Sequence, residues 1–240
     1  MLDSATRNLR NRWEDTRKRI ATAATRWGRL CDSVGLVAIS KGHPVSALRT
    51  VAGFGQRDFG ENYLQEALPK LQALAELSLT WHFTGQLQGN KTRTVAEHFH
   101  WVHTLDRERI AVRLNDQRPH YAPPLNVCLQ VSLEDEPGKG GVPPEQLLAL
   151  AQSVAQLPKL KLRGLMCIPP PRDTFEEQRA LFEQLAAHQR RLVDAGFQLD
   201  TLSMGMSADL EAAVAAGATW VRIGTAIFGE RIKQTDDQTP

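Results

Sequence analysis

A lysine closes the apolar run Gly35-Leu36-Val37-Ala38-Ile39-Ser40-Lys41. Lysine has low strand propensity, and burying its ammonium is costly unless it is paired or loses its charge. Lys41 is therefore either a cap reaching solvent or a working amine. It keeps the two-residue phase of Val37 and Ile39, so the three side chains share one face of a strand. A desolvated amine on such a face can lose its proton and attack a carbonyl, which is what Schiff-base chemistry needs.

Two later stretches carry anion chemistry. In Ser203-Met204-Gly205-Met206-Ser207-Ala208-Asp209 a strand runs into a glycine turn, with Ser207 as the expected cap of the next helix. In Val221-Arg222-Ile223-Gly224-Thr225 a strand ends on a glycine and a hydroxyl. Free N–H groups at such turns and helix starts bind anions. Arg222 stands inside an apolar strand, where a guanidinium needs a partner, and a carboxylate from a neighbouring strand, Glu61 or Asp58, is expected to supply it. Other polar residues stand at strand ends: Glu61 and Asn62, then His82 and Thr84, then Asn90 and Lys91. Asn62 reads equally as a turn residue or a ligand contact, and His82 as a satisfied core histidine. His98, His100 and His103 straddle a helix-to-strand junction with no convergent carboxylate, so they are not read as a metal site.

These residues must be placed by the elements around them. Leu9, Trp13, Ile20, Ala24, Trp27 and Leu30 recur at helical spacing and predict one long helix over residues 3–33, with Asp3 or Ser4 as its cap. The chain then alternates. Strands are expected at 36–40, 57–60, 80–84, 101–105, 125–131, 160–168, 199–204 and 220–223. Helices are expected at 45–52, 63–77 (with Pro69 inside), 91–98, 107–117 (capped by Asp106), 143–157, 174–195 and 207–216. Most crossovers are long enough to make the next strand parallel. Eight βα units in one domain predict a closed (β/α)8 barrel, with an open doubly wound sheet as the alternative. In such a barrel, sites gather at the carboxyl ends of the strands, and the loops after strands seven and eight commonly hold phosphate. The first helix is expected to cover the outside where the last βα unit is abbreviated.

The totals exclude several classes. At 240 residues the chain suits one large barrel or two small domains. With 29 basic and 27 acidic side chains the net charge is +2, which gives no broad footprint for nucleic acid or an anionic membrane. The basic run from Arg7 to Arg19 is interrupted by Glu14 and Asp15 and reads as a solvated helix face. Cys31, Cys128 and Cys167 form no CxxC pair and no zinc spacing, so a reducing cytoplasm is expected. There is no signal-peptide pattern and no apolar stretch long enough to span a membrane.

Five stretches match one family in order: Val37 to Lys41, Phe59 to Tyr63, Trp81 to Lys91, Ser203 to Ser207, and Val221 to Gly229. Together they resemble the pyridoxal phosphate homeostasis proteins, the YggS/PROSC family, over residues 5–231. The resemblance implies a single (β/α)8 TIM barrel of the alanine racemase N-terminal kind (fold type III), with an extra N-terminal helix, that binds pyridoxal 5'-phosphate. It implies that Lys41 forms the internal aldimine and that Ser207, Gly224 and Thr225 hold the phosphate, with the Met206 backbone nearby. Arg222 would approach the pyridine nitrogen, and Asn62 would sit near the ring. Residues 1–233 would be one cofactor-binding domain, and 234–240 a polar tail. Some relatives carry a second lysine two positions after the first; here that position is His43. Lys139 matches a basic loop position of the family and reads as a solvated charge.

The implied function is to buffer or deliver pyridoxal phosphate, with apo-enzymes that use the cofactor as recipients, in a cytoplasmic monomer and without a robust reaction of its own. The alternative is an amino-acid racemase; a cofactor-free class I aldolase fits the phosphate-type turns and Arg222 less well. Racemisation needs acid/base groups on both faces of the substrate α-carbon. In alanine racemase a tyrosine from a second domain supplies one, and here Tyr63 and Tyr121 are the only tyrosines and no second domain is expected.

Overall fold

Asp3 starts the first helix, α1 (Ser4–Arg26), by accepting the Thr6 N–H on its carboxylate at 2.9 Å. The computed structural model describes residues 3–134 and 140–230. Leu9, Trp13, Ile20 and Ala24 form the buried stripe of α1, as their spacing predicts. The helix is shorter than the expected 3–33. Gly28 takes a left-handed φ of 69°, which ends the periodic stretch, and Leu30 is left 77% exposed.

The strands are β1 (Gly35–Ile39), β2 (Asp58–Glu61), β3 (Thr80–Phe83), β4 (Trp101–Leu105), β5 (Leu125–Gln130), β6 (Leu160–Met166), β7 (Thr201–Ser203) and β8 (Trp220–Ile223). Each pairs parallel with the next, and β1 pairs with β8 as well as β2, so the sheet is a closed barrel and not an open one. Between them run α2 (Val45–Gly53), α3 (Leu64–Ala73), α4 (Thr92–His98), α5 (Glu108–Gln117), α6 (Leu147–Ala155), α7 (Phe175–Asp194) and α8 (Leu210–Ala215); α9 (Thr225–Phe228) follows β8. Helix α1 packs on α8 and α9, covering the short last unit as expected.

Strand phase divides the core in two. Leu36 and Ala38 face outward into the layer shared with the helices. Trp101, Cys128 and Met166 form a separate inner cluster. Val37 and Ile39 belong to the inner side: a Cβ placed on Gly60 of β2 would meet Ile39 Cδ1 at 2.4 Å and Val37 Cγ1 at 2.9 Å. Fully buried Leu48, Phe59, Leu125 and Leu165 each contribute about 1.5–3 kcal/mol by leaving water.

Three local expectations are corrected. Asp106 does not cap α5; Arg107 holds that position, and the Asp106 carboxylate accepts from its guanidinium at 2.8 Å. Ser207 does not cap α8, because Asp209 occupies the N-cap position two residues later. Pro69 does not split α3, which runs unbroken from Leu64 to Ala73 with the proline in its middle and one intrahelical hydrogen bond forgone, although it stops short of the expected Leu77. Of the remaining expectations, Lys139 and residues 234–240 lie outside the described residues.

Candidate functional site

Lys41 follows the last residue of β1 by two and is half-buried at the carboxyl end of the barrel. Its neighbours on the chain are clamped from the end of β2 and from α3. Ser40 donates its hydroxyl to Glu61 Oε1 at 2.6 Å, and its carbonyl accepts from Lys70 Nζ at 2.8 Å. The Gly42 N–H donates to Glu66 Oε2 at 2.6 Å. The turn holding Lys41 is thus fixed on both sides.

Strand β8 lies alongside. Val37 stands opposite Arg222 in the register. A Cβ on Gly224 would approach the Ile39 carbonyl to 3.1 Å, so the turn after β8 packs against the segment leading to Lys41. The turn after β7 is tied to the same strand by Arg222 N–H donating to the Gly205 carbonyl at 2.9 Å. Gly205 has a φ of 94°, and a Cβ there would lie 2.5 Å from that of Ala213, so the position needs glycine. Ser207 and Gly224 are half-buried, while Met206 and Thr225 are exposed. The Met206 N–H is engaged by the Asp209 carboxylate. Burial pushes the Asp209 carboxyl up, although that N–H and Arg222 pull it back.

Helix α1 buttresses both turns. Arg12 donates to the Ile227 carbonyl at 2.9 Å in α9. Arg19 pairs with Glu211 at 2.9 Å and donates to the Ser207 carbonyl at 3.2 Å. Across the mouth, Asn62 Oδ1 accepts from the Thr84 hydroxyl at 2.8 Å. Asn62 also lines a cleft of about 420 Å³ with Tyr63, Gln86, Gln88 and Lys91.

Arg222 is 5% exposed, and neither carboxylate considered for it is its partner. Its guanidinium donates to Ser203 Oγ at 2.8 Å and to the Cys167 carbonyl at 2.9 Å. Glu61 is taken by Lys70 at 2.7 Å, and Asp58 by His82 at 3.0 Å. Burial lowers the Arg222 pKa, opposed by the nearby thiols and Asp209. His43 is buried and stacks on Phe228 at 4.9 Å, so the ring at the position of the second family lysine packs under α9. No group of three or more histidine, cysteine, aspartate or glutamate side chains suited to a metal occurs among the described residues. No helix among them is long and apolar enough to cross a membrane.

The sequence reading missed Lys70, which is 6% exposed. Lys70 gives no sign in sequence that it is buried, since a helical lysine ordinarily faces water. His82 is the satisfied core histidine expected from sequence, meeting His103 inside the barrel at 2.9 Å and Asp58 at 3.0 Å, but the contact with His103 was not anticipated.

A closed barrel with a lysine after β1, an arginine in β8 and glycine turns after β7 and β8 defines a class, and residues 17–232 match the model of the alanine racemase N-terminal domain. Within that class the chain belongs to the pyridoxal phosphate homeostasis protein family. It is 57% identical over 213 residues to the pyridoxal phosphate homeostasis protein of Pseudomonas aeruginosa, covering 89% of this chain and 91% of that one. It is 52% identical over 218 residues to that of Escherichia coli K12, covering 90% and 93%. PipY of Synechococcus elongatus, solved with PLP bound, superposes with a TM-score of 0.78 at 42% identity over 88% of this chain and all of the other. Lysine decarboxylase of Selenomonas ruminantium shares the fold alone, with a TM-score of 0.66 at 15% identity.

Proposed function

We propose that this chain binds pyridoxal 5'-phosphate at the carboxyl mouth of the barrel and buffers or delivers it, without a robust reaction of its own. The observation that carries the reading is the pairing of β1 with β8. It sets the strand that leads to a half-buried amine, Lys41, beside the strand that carries a buried guanidinium, Arg222, held by a hydroxyl and a carbonyl in place of a carboxylate. The names of the relatives and the PLP bound to PipY support the same cofactor.

The residues fit that group. Lys41 is the amine that would take the aldehyde. Arg222 keeps N–H groups beyond its two bonds for the pyridine nitrogen. Ser207, Gly224 and Thr225, with the Met206 backbone, lie on the two turns that would receive the phosphate, and Asn62 lies on the rim. An arginine at the ring nitrogen leaves that nitrogen unprotonated, which weakens the ring as an electron sink and favours holding the cofactor over carbanion chemistry. Residues 1–233 form the cofactor-binding domain in this reading. Recipients are apo-enzymes that use the cofactor; three thiols with no disulfide support a reducing cytoplasm, and closure of all eight strands within one chain supports a monomer.

The test is direct. Purified protein is yellow, and borohydride fixes the cofactor mass on Lys41. A colourless protein, or label elsewhere only, overturns the reading. Incubating the loaded protein with single D- or L-amino acids separates carrier from racemase: rapid interconversion favours the racemase.

A further inference from the structure

Four hydrogen bonds cross the barrel interior in series from Arg222. Its Nη1 lies 2.8 Å from Ser203 Oγ, and Ser203 Oγ lies 2.7 Å from His103 Nδ1. His103 Nε2 lies 2.9 Å from His82 Nδ1, and His82 Nε2 lies 3.0 Å from Asp58 Oδ1. Ser203, His103 and His82 are fully buried. Asp58 is different: its side chain is 27% exposed and borders a cleft of about 640 Å³ shared with Trp13, Gln56 and Trp220. Trp101 stacks on His82 at 5.6 Å, and Trp220 meets it at 5.3 Å, so the ring that links the two halves is held in place.

The two ends dictate the direction of the chain. A guanidinium has only donors, and an ionised carboxylate only acceptors. Ser203 accepts from Arg222 and so gives its single proton to His103 Nδ1. His103 then carries its proton on Nε2 and donates it to His82 Nδ1. His82 likewise carries its proton on Nε2 and donates it to Asp58. Each link holds one proton, and both rings are neutral. The reverse order sets a ring lone pair against the Asp58 carboxylate or demands a buried imidazolium. Burial opposes the latter by lowering the pKa of both rings, His103 well below 6.5.

We infer that Asp58, His82, His103 and Ser203 form one positioning relay, which holds the Arg222 guanidinium charged and fixed in orientation for the ligand acceptor at the barrel mouth. The inference rests on the cofactor reading above, in which that acceptor is the pyridine nitrogen. None of the four residues need touch the ligand. Each bond polarises the next in a low-dielectric interior, so the anionic end at Asp58 supports the cationic end. Neutral partners next to Arg222 also keep it from being quenched by a carboxylate.

Two measurements test it. Long-range proton–nitrogen correlation on labelled, cofactor-free protein reads the ring tautomers. Both His82 and His103 are expected as neutral Nε2–H forms between about pH 6 and 8. An Nδ1–H form or an imidazolium at either ring overturns the relay, whatever becomes of the cofactor reading. The second arm uses His82→Phe, which keeps an aromatic ring between Trp101 and Trp220. In this variant His103 is expected to lose its single tautomer, and cofactor retention is expected to fall roughly two- to thirtyfold, the range for coupling through packed networks. Its absorption band should shift as well. Unchanged retention and an unchanged band, beside a wild-type protein that holds cofactor, overturn the positioning role. A wild-type protein that never holds cofactor sinks the cofactor reading and with it the ligand half of the inference, while the tautomers still decide the relay.

Discussion

The ammonium of Lys70 donates to the carbonyl of Ser40 at 2.8 Å, one residue before Lys41. The same ammonium pairs with Oε1 of Glu61, whose side chain is fully buried and whose Oε2 has no hydrogen-bond partner. A helical lysine is thus spent on fixing the end of β1. Replacing it by Met leaves the buried Glu61 carboxyl without its cationic partner, held by the Ser40 hydroxyl alone. Breaking a buried pair in this way costs about 3–5 kcal/mol. Denaturant unfolding of Lys70→Met should show a loss of that order, and Lys70→Met with Glu61→Gln should recover part of it. A loss no larger than that of an exposed lysine would show that the clamp contributes little.

The same cluster sets a pH dependence. Burial raises the Glu61 carboxyl above 4.5, although the Lys70 ammonium and the Ser40 hydroxyl pull it back down. A raised carboxyl pKa means that the folded state binds the proton more tightly than the unfolded state does. Its stabilising contribution is therefore complete below the unfolded value and is lost as pH rises through the folded one. Without Lys70 the carboxyl loses its main downward pull and rises further. The penalty of Lys70→Met should accordingly be small in acid and grow toward neutral pH. Unfolding curves for both proteins at several pH values check the sign; a penalty that grows on acidification would refute it.

Thiol chemistry should be confined to one residue. Cys31 is exposed, while burial pushes the Cys128 and Cys167 thiols up to about 12. A thiolate-selective reagent should label Cys31 alone in the native protein and all three only after unfolding. Mass spectrometry of peptides distinguishes the sites, and native labelling of Cys167 would contradict the burial seen beside Arg222.

Helix α1 should matter to the mouth by bracing its two turns from outside. Arg12 holds the Ile227 carbonyl, and Arg19 holds both Glu211 and the Ser207 carbonyl. Each replacement by Ala should cost about 1 kcal/mol of stability. The double variant Arg12→Ala/Arg19→Ala should bind inorganic phosphate and pyridoxal phosphate more weakly than wild type, because both turns lose their outer brace. Equal affinities in a titration would show that the turns hold themselves.

The barrel was legible in the chain because buried parallel strands read as short apolar runs between helical periods, and Leu125 to Gln130 is the plainest of these. Lys41 and Arg222 were legible because a charge at the end of an apolar run, or inside one, calls for a reason. Helix ends were less so. The apolar rhythm continues through Trp27 and Leu30, but Gly28 turns the backbone between them, so Trp27 stacks on Phe175 while Leu30 is left exposed. The hydrogen-bond network behind Arg222 was out of reach. Ser203 and His103 are 100 residues apart in the chain and meet only because the sheet closes. No local pattern encodes a contact that depends on closure.

Gly205 joins fold and site most tightly, and its replacement makes the sharpest test. Its φ of 94° disfavours any side chain, and an added Cβ would sit 2.5 Å from Ala213 Cβ and 3.3 Å from Val221 Cγ1. Ala213 belongs to α8 and Val221 to β8, so relief would have to move one of the elements that flank the mouth. The backbone strain alone is worth about 1–3 kcal/mol. The Gly205 carbonyl also accepts the Arg222 N–H, so a shift of the turn should reach the arginine as well as Ser207. Gly205→Ala should therefore lose stability on unfolding and lose cofactor retention by a larger factor than Gly53→Ala, where a Cβ meets nothing within 4 Å. If the two variants retain cofactor equally, the turn after β7 is not part of the site, and the phosphate must be sought at Gly224 and Thr225 alone.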